Sequence, residues 1–229
     1  MTSNVLVMEG RGRGGGREAG RKGAFTRNLV PGNRVYDEEL LKTRDGEYRS
    51  WDPFRSKLAG AILKGELPSD VIERGDKVLY LGASTGTTIS HVSDIVGSGG
   101  LVVGVELSAR VGREFLEHVA KARPNVIPFI SDARETERFT GFGKMDVVYC
   151  DIAQRDQTDI AVANAKTHLK KGGRLLLIVK ARSIDGLKEP AQVFKEEAQR
   201  LKDAGFVVEK VIDLRPYDKD HALISATMR

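Results

Sequence analysis

Apolar and polar positions follow two regimes along the chain. From residue 77 onward, short apolar runs recur, and each is followed by a stretch with apolar positions at helical spacing. The runs at 77–81, 101–105, 126–130, 145–150 and 174–180 predict buried strands. Helices are predicted near 87–96, 109–122, 158–169 and 188–203, and two last strands at 207–213 and 221–227 close the chain. Strand–helix alternation with apolar strands predicts a parallel sheet covered on both faces. The last strand follows a short connection, 214–219, so it should run antiparallel, because a parallel return needs a longer crossover. The expected fold class is therefore α/β: a Rossmann-like, seven-stranded sheet with an antiparallel last strand. No internal repeat is visible.

Before residue 77 the pattern changes. The segments 25–30, 34–41 and 47–51 are short and mixed, separated by the turn signals Pro31-Gly32-Asn33 and Arg44-Asp45-Gly46. They predict a small β-rich N-terminal domain over 24–53. Tyr36, Tyr48 and Trp51 beside Arg34, Arg49 and Arg55 offer a basic surface for stacking, although packing within the small sheet is the preferred reading of Trp51. Pro53 opens a predicted helix over 54–63, with Phe54, Leu58, Ala61 and Ile62 on its buried face and Lys57 at the edge of that face. Gly65 ends that helix, and Leu67-Pro68 leads into a short helical stretch at 69–73. Residues 9–23 are rich in Arg and Gly and cannot bury enough apolar surface to order themselves. The domains expected are a disordered tail (1–23), the small β-rich domain (24–53) and the Rossmann-like domain (54–229).

Composition sharpens this picture in three ways. The 229 residues suffice for one sizeable core plus a small extra unit. The formal net charge of +5, with a pI near 9.3, hints at an anionic partner. The Arg/Gly stretch carries much of that charge, and its composition fits an RNA-binding arm and a solubilising tail equally well. Cys150 stands alone, so no internal disulfide can form and a reducing compartment is expected. No apolar run approaches a membrane span and there is no signal peptide, so a soluble intracellular protein with no membrane partner is expected.

Candidate chemistry gathers at the predicted strand ends, where open α/β sheets bind ligands. Gly82 and Gly86 bracket a strand–turn–helix junction that continues through Thr87 and Thr88. Such a turn brings bare backbone N–H groups and a helix N-terminus to a ligand. Glu106 ends the second strand, placed to accept ribose hydroxyls, and Asp132 with Ala133 ends the third, placed to accept an adenine amino proton. A nucleoside-containing cofactor follows, but the G-x-G-x-x-G of a dinucleotide site is missing. Asp151 ends the fourth strand and Lys180 the fifth. A lysine finishing a buried strand needs a partner, and Asp151 on the neighbouring strand can supply it. A functional pair is preferred to a structural one at the sheet rim, because this pair flanks the cofactor turn. His91, His118 and His168 form no metal-ligand cluster, so no metal is predicted.

The Gly82-x-x-x-Gly86 spacing resembles the S-adenosylmethionine-binding turn of the methyltransferase superfamily. Leu-Gly-Ala-Ser-Thr-Gly-Thr-Thr-x-Ser-His-Val-Ser-Asp-Ile-Val-Gly (81–97) resembles the fibrillarin family, the ribose 2′-O-methyltransferases guided by box C/D RNA. So do Trp-Asp-Pro-Phe-Arg-Ser-Lys-Leu-Ala (51–59), Asp-Ile-Ala-Gln (151–154) and Pro-Tyr-Asp-Lys-Asp-His-Ala (216–222). The resemblance covers about residues 24–229, and the short Arg/Gly region makes the chain look archaeal in type. It implies S-adenosyl-L-methionine as cofactor and a catalytic set at Lys57, Asp151, Lys180 and His221. On residues alone, His221 reads as a histidine satisfied at the base of a strand. Cofactor contacts are implied at Thr87, Thr88, Glu106, Leu107, Asp132, Ala133, Asp151, Ile152, Ala153 and Gln154. The implied partners are a box C/D guide RNA, target rRNA with tRNA as a further class, a Nop-type scaffold protein and a kink-turn-binding protein of ribosomal type. The implied location is the cytoplasm, or the nucleolus where the host has a nucleus. Asp151 and Lys180 form the central pair, with Lys57 and His221 positioning and shaping the field, and Lys180 can hold or deprotonate the 2′-hydroxyl. Acting as the base requires a neutral Lys180; burial and Lys57 favour that form, and Asp151 opposes it. The competing readings are a small-molecule or protein methyltransferase, a non-catalytic RNP subunit and, more distantly, a nicotinamide oxidoreductase.

Overall fold

The computed structural model describes residues 4–9 and 22–228. A small antiparallel sheet comes first, from β1 (Val5–Glu9), β2 (Lys22–Arg27), β3 (Leu40–Thr43) and β4 (Gly46–Trp51), in the order β1-β2-β4-β3. The large sheet follows, from β5 (Lys77–Leu81), β6 (Leu101–Glu106), β7 (Val126–Ile130), β8 (Met145–Cys150), β9 (Leu169–Lys180), β10 (Phe206–Asp213) and β11 (His221–Met228). Its order is β10-β11-β9-β8-β5-β6-β7, and β11 runs antiparallel to both of its neighbours. The expected seven-stranded α/β sheet and reversed last strand are thus present. The helices are α1 (Lys57–Leu63), α2 (Thr87–Val96), α3 (Ala109–His118), α4 (Gln157–His168), α5 (Ala181–Ile184) and α6 (Pro190–Asp203). Among the described residues, no helix is long and apolar enough to cross a membrane.

Alternation along the central strands splits the core into two layers. Val78 and Tyr80 face one side, with Leu58 and Ile62 of α1 and Ile89 and Val92 of α2. Leu79 and Leu81 face the other, with Ile160 and Ala161 of α4 and Val193 and Leu201 of α6. Burial on both faces explains why these strands read as unbroken apolar runs. Each fully buried Leu, Ile or Val contributes about 1.5–3 kcal/mol.

Several local expectations are corrected. The stretch read as a disordered tail holds a strand: β1 pairs with β2 from Val5↔Thr26 to Glu9↔Lys22. Its Val-Leu-Val-Met run is β-prone, and Val5 is buried in the core. The rest of the Arg/Gly stretch, 10–21, lies outside the described residues. The segment 34–41 is mostly loop, and β3 begins only at Leu40. Helix α1 starts at Lys57, because Ser56 caps it by accepting from the Ala59 N–H. Phe54 therefore lies outside the helix and is 63 % exposed, not on the buried face. Residues 69–73 form turns rather than a helix. The helix predicted over 109–122 breaks at Val119 into α3 and a 3₁₀ turn, Ala120–Ala122.

The small sheet is joined to α2 by a buried ionic network. Arg49 on β4 pairs with Glu38 at 2.6 Å and with Asp94 of α2 at 2.8 Å, and Arg123 pairs with the same Asp94 at 2.6 Å. Asp94 also accepts from Thr26 Oγ1 at 2.8 Å and from the Leu29 N–H at 2.9 Å. The two guanidinium and two carboxylate charges balance. His91 sits in the same layer, stacked on Trp51 at 5.1 Å and linked to Thr26 Oγ1 and the Tyr36 hydroxyl, each at 2.7 Å. Burial, then the Arg49 and Arg123 charges, hold its pKa well below the ordinary 6.5. It is therefore neutral; with Thr26 donating to Asp94, Nδ1 carries the proton and Nε2 accepts from Tyr36. Arg49 and Trp51 are buried here, so they do not contribute to the exposed stacking surface expected of them. The packing role of Trp51 is seen directly.

Candidate active site

The site lies at the carboxyl ends of β5, β6, β7, β8 and β9; Leu81, Val105 and Cys150 stand level, and β9 runs on past them from Leu177 to Lys180. Gly82 ends β5 with φ +85°. A Cβ there would stand 2.7 Å from the Asp151 carbonyl oxygen and 3.1 Å from Ile152 Cγ2. Only glycine lets the turn and the β8 end approach this closely. Ser84 follows at φ +50°, an uncommon conformation for a residue with a side chain. Its N–H donates to Glu106 Oε2 at 2.9 Å, while Glu106 Oε1 accepts from the Ser108 N–H at 2.9 Å. Each oxygen of Glu106 thus accepts one backbone bond and keeps a free lone pair.

A cleft of about 260 Å³ opens beside this turn. Gly82, Glu106, Leu107, Asp132, Ala133, Asp151, Ile152, Ala153 and Gln154 line it, together with Lys180. Nearly every cofactor contact implied by the sequence therefore meets here. Asp132 is braced by Arg134, whose N–H donates to Asp132 Oδ1 at 2.9 Å and whose guanidinium pairs with Asp132 and Asp156. Thr87 and Thr88 line an adjoining cleft of about 240 Å³ with Arg55, Lys57 and Tyr80; the two clefts share Gly82, Ser84, Asp151 and Lys180. Gly86 lines neither. It is the left-handed residue before α2, and a Cβ would strike Val119 at 2.5 Å and Phe115 at 2.8 Å, so its task is packing beneath α3.

The four implied catalytic residues do converge, in a chain with a fifth. Lys180 Nζ lies 2.8 Å from Asp151 Oδ1, and Lys57 Nζ lies 3.3 Å from Asp151 Oδ2. Lys57 also lies 3.8 Å from Asp218, whose Oδ1 is 2.6 Å from His221 Nδ1. The fold dictates this order. Asp151 and Lys180 end adjacent parallel strands, His221 begins β11 opposite Lys180, and Lys57 opens α1. Asp218 was missed: it lies inside the quoted stretch 216–222, but nothing in the sequence distinguishes it from Asp220. Asp220 instead pairs with Arg182 at 3.2 Å. Cys150, next to Asp151, is fully buried; burial raises its thiol to about 12, which leaves it unreactive. Tyr80 and Tyr149 stack at 4.5 Å behind the second cleft, and burial keeps both hydroxyls protonated.

What the arrangement offers chemically is a nucleoside-sized cleft next to a carboxylate held between two lysines. Leu107, Ile152 and Ile160 supply apolar wall for a base, while Glu106 and Asp132 supply acceptors. The glycine cradle and the free lone pairs of Glu106 fit an adenosine-bearing cofactor.

Comparison with known proteins bears on this geometry. The family model described as fibrillarin matches residues 16–229. The chain is 54 % identical over 200 residues to the fibrillarin-like rRNA/tRNA 2′-O-methyltransferase of Saccharolobus solfataricus, covering 87 % of this chain and 85 % of that protein. Among solved structures, Aeropyrum pernix fibrillarin in complex with natively bound S-adenosyl-L-methionine matches with a TM-score of 0.83 and 44 % identity, over 97 % of this chain and 94 % of that one. A fibrillarin in complex with Nop5p matches with a TM-score of 0.80 and 39 % identity, over 90 % and 94 %.

Proposed function

The chain belongs to the fibrillarin family, and we propose that it transfers a methyl group from S-adenosyl-L-methionine to the ribose 2′-hydroxyl of rRNA, and of tRNA as a further class, at sites chosen by a box C/D guide RNA. The observation that carries the reading is the Lys180–Asp151–Lys57 chain at the shared wall of the two clefts. The cofactor supplies, when bound, an electrophilic methyl group on a sulfonium that departs as a neutral thioether. Glu106 and Asp132 would hold its nucleoside end, and Thr87 and Thr88 line the space for the rest.

The chain's own residues then have two tasks. The first is position: a 2′-hydroxyl is a weak nucleophile and must be aligned near attack distance. The second is the proton. Lys180 is placed to take the hydroxyl proton as the oxygen–carbon bond forms, a role that requires a neutral amine, and Asp151, 2.8 Å away, would hold the resulting ammonium. Lys57 makes this feasible, because Asp151 stays paired with it while Lys180 is uncharged. Asp218 balances Lys57 and steadies His221.

Target choice belongs to the partners. A guide RNA would select the site by pairing, with a Nop-type scaffold and a kink-turn-binding protein carrying this subunit to the duplex in the cytoplasm. The Nop5p-bound relative supports the scaffold. The deciding experiment is methyl transfer from labelled S-adenosylmethionine to a guide-matched target RNA, with this protein alone and with guide, scaffold and kink-turn protein. A single 2′-O-methyl group, seen as one alkali-resistant linkage only in the full assembly, is the expected result. Cofactor binding with no RNA methylation in any assembly would defeat the proposal.

A further inference from the structure

Phe54 is the most exposed aromatic side chain among the described large hydrophobic residues. It is a large aromatic side chain, 63 % exposed, at the entrance to the helix that carries Lys57. It is also held firmly. Its N–H donates to Asp52 Oδ1 at 2.9 Å, and its ring meets Tyr217 edge-on, with centroids 5.3 Å apart and planes at 78°. Tyr217 is seated in turn on the backbone of α1: a Cβ at Gly60 would stand 3.2 Å from its ring. Tyr217 directly precedes Asp218, and Phe54 lies one turn before Lys57, so both aromatics flank the catalytic chain. Arg55 stands beside them, half exposed, with its guanidinium 5.4 Å from the centre of the Tyr36 ring. Its carboxylate partners are distant, Asp37 at 4.0 Å and Asp52 at 3.8 Å. Arg55 and Lys57 both line the second cleft.

A fixed, exposed aromatic face next to a weakly engaged arginine suits a nucleoside and its phosphate. We propose that Phe54, backed by Tyr217, is the platform on which a nucleoside of the target strand packs as the acceptor ribose enters the catalytic chain, with Arg55 meeting the adjoining phosphate. This rests on the reading of the chain as an RNA ribose methyltransferase. The occupant is RNA rather than an apolar protein segment, because the patch adjoins, through Arg55 and Lys57, the cleft where the ribose must react, and both of those cations line that cleft.

The test uses the complete guide particle with Phe54 replaced by photoreactive p-benzoylphenylalanine and an end-labelled target RNA. Irradiation should attach the label to this chain, and excess unlabelled target should suppress it. In parallel, Phe54→Ala should raise KM for target RNA about fivefold or more, leave the cofactor Kd unchanged, and be rescued by Phe54→Trp. Crosslinking to guide RNA or a protein subunit instead, or an unchanged KM in Phe54→Ala, would overturn the platform while the wild-type particle still methylates. A wild-type particle that does not methylate would bring down the functional reading itself, and the platform with it.

Discussion

Two ionic networks, one between the small sheet and α2 and the other at the carboxyl ends of the central strands, differ in what their geometry leaves free. Between the small sheet and α2, the side chains of Glu38, Arg49, Asp94 and Arg123 are all 0 % exposed, and Asp94 is surrounded by donors on every side. At the strand ends, Lys57, Asp151, Lys180, Asp218 and His221 are 14–31 % exposed, and Lys57, Asp151 and Lys180 line the clefts. Like pairings thus serve different ends. A fully buried network fixes one orientation of the small sheet, even with Arg123 Nε and Nη2 lacking partners, whereas a half-open network keeps its polar groups within reach of a substrate. Access to a cleft, rather than the presence of ion pairs or of unspent donors, separates a site from a joint.

Removing a partner from each network should expose that difference. The largest effect is expected for Asp94→Ala, which leaves Arg49 and Arg123 as buried cations with too little compensation. Breaking a buried pair in this way costs about 3–5 kcal/mol. Denaturant unfolding should show that loss. A variant within about 1 kcal/mol of wild type would mean the network is not what anchors the small sheet.

Lys180→Ala should behave in the opposite way. Lys180 is the last residue of β9 and lines the clefts, so the fold should tolerate its loss. Single-turnover methyl transfer in the full particle should fall about 10²-fold or more, the usual contribution of a general base. Rates near wild type would remove Lys180 from the proton-transfer role.

How much of this contrast could be read in advance follows from the same physics. The strand ends were legible because a strand buried on both faces must be apolar, so a charged residue that stops it, such as Asp151 or Lys180, stands out. The order of the strands then brings these residues together without further information. The joint was not legible. Glu38, Arg49, Asp94 and Arg123 look like surface charges in the sequence, and their burial depends on how the small sheet docks, which no local pattern encodes. Asp218 was hidden for a related reason: among the acids of the 214–220 connection, only the loop conformation decides that Asp218 faces Lys57 while Asp220 faces Arg182. The strand β1 was lost because its short apolar run adjoins the Arg/Gly stretch and was absorbed into it.

The joint also carries a pH signature. His91 is held neutral in the fold, with its pKa depressed by burial and by two guanidinium groups. Below about 6.5 the unfolded chain gains a proton at this position and the native one does not. Stability should therefore fall as pH drops through that range, by up to about 1.4 kcal/mol per pH unit. His91→Gln, which keeps polar atoms in the layer but cannot titrate, should flatten the slope between pH 5 and 6.5. An unchanged slope would place the acid sensitivity elsewhere.

The smallest effect is expected for Asp218→Asn, and it is the most informative about the half-open network. Asp218 does not face the shared wall of the clefts; it acts by holding Lys57 and His221. An amide preserves the shape but not the charge, so Lys57 and His221 should lose the carboxylate that holds them in place. A severalfold loss in kcat is expected, with KM for the cofactor unchanged and the melting temperature close to wild type. Because Asp218 acts in part through Lys57, a double variant with Lys57→Ala should lose less than the two single losses combined. Strict additivity would show that Asp218 and Lys57 work independently and that the five side chains do not act as one connected network.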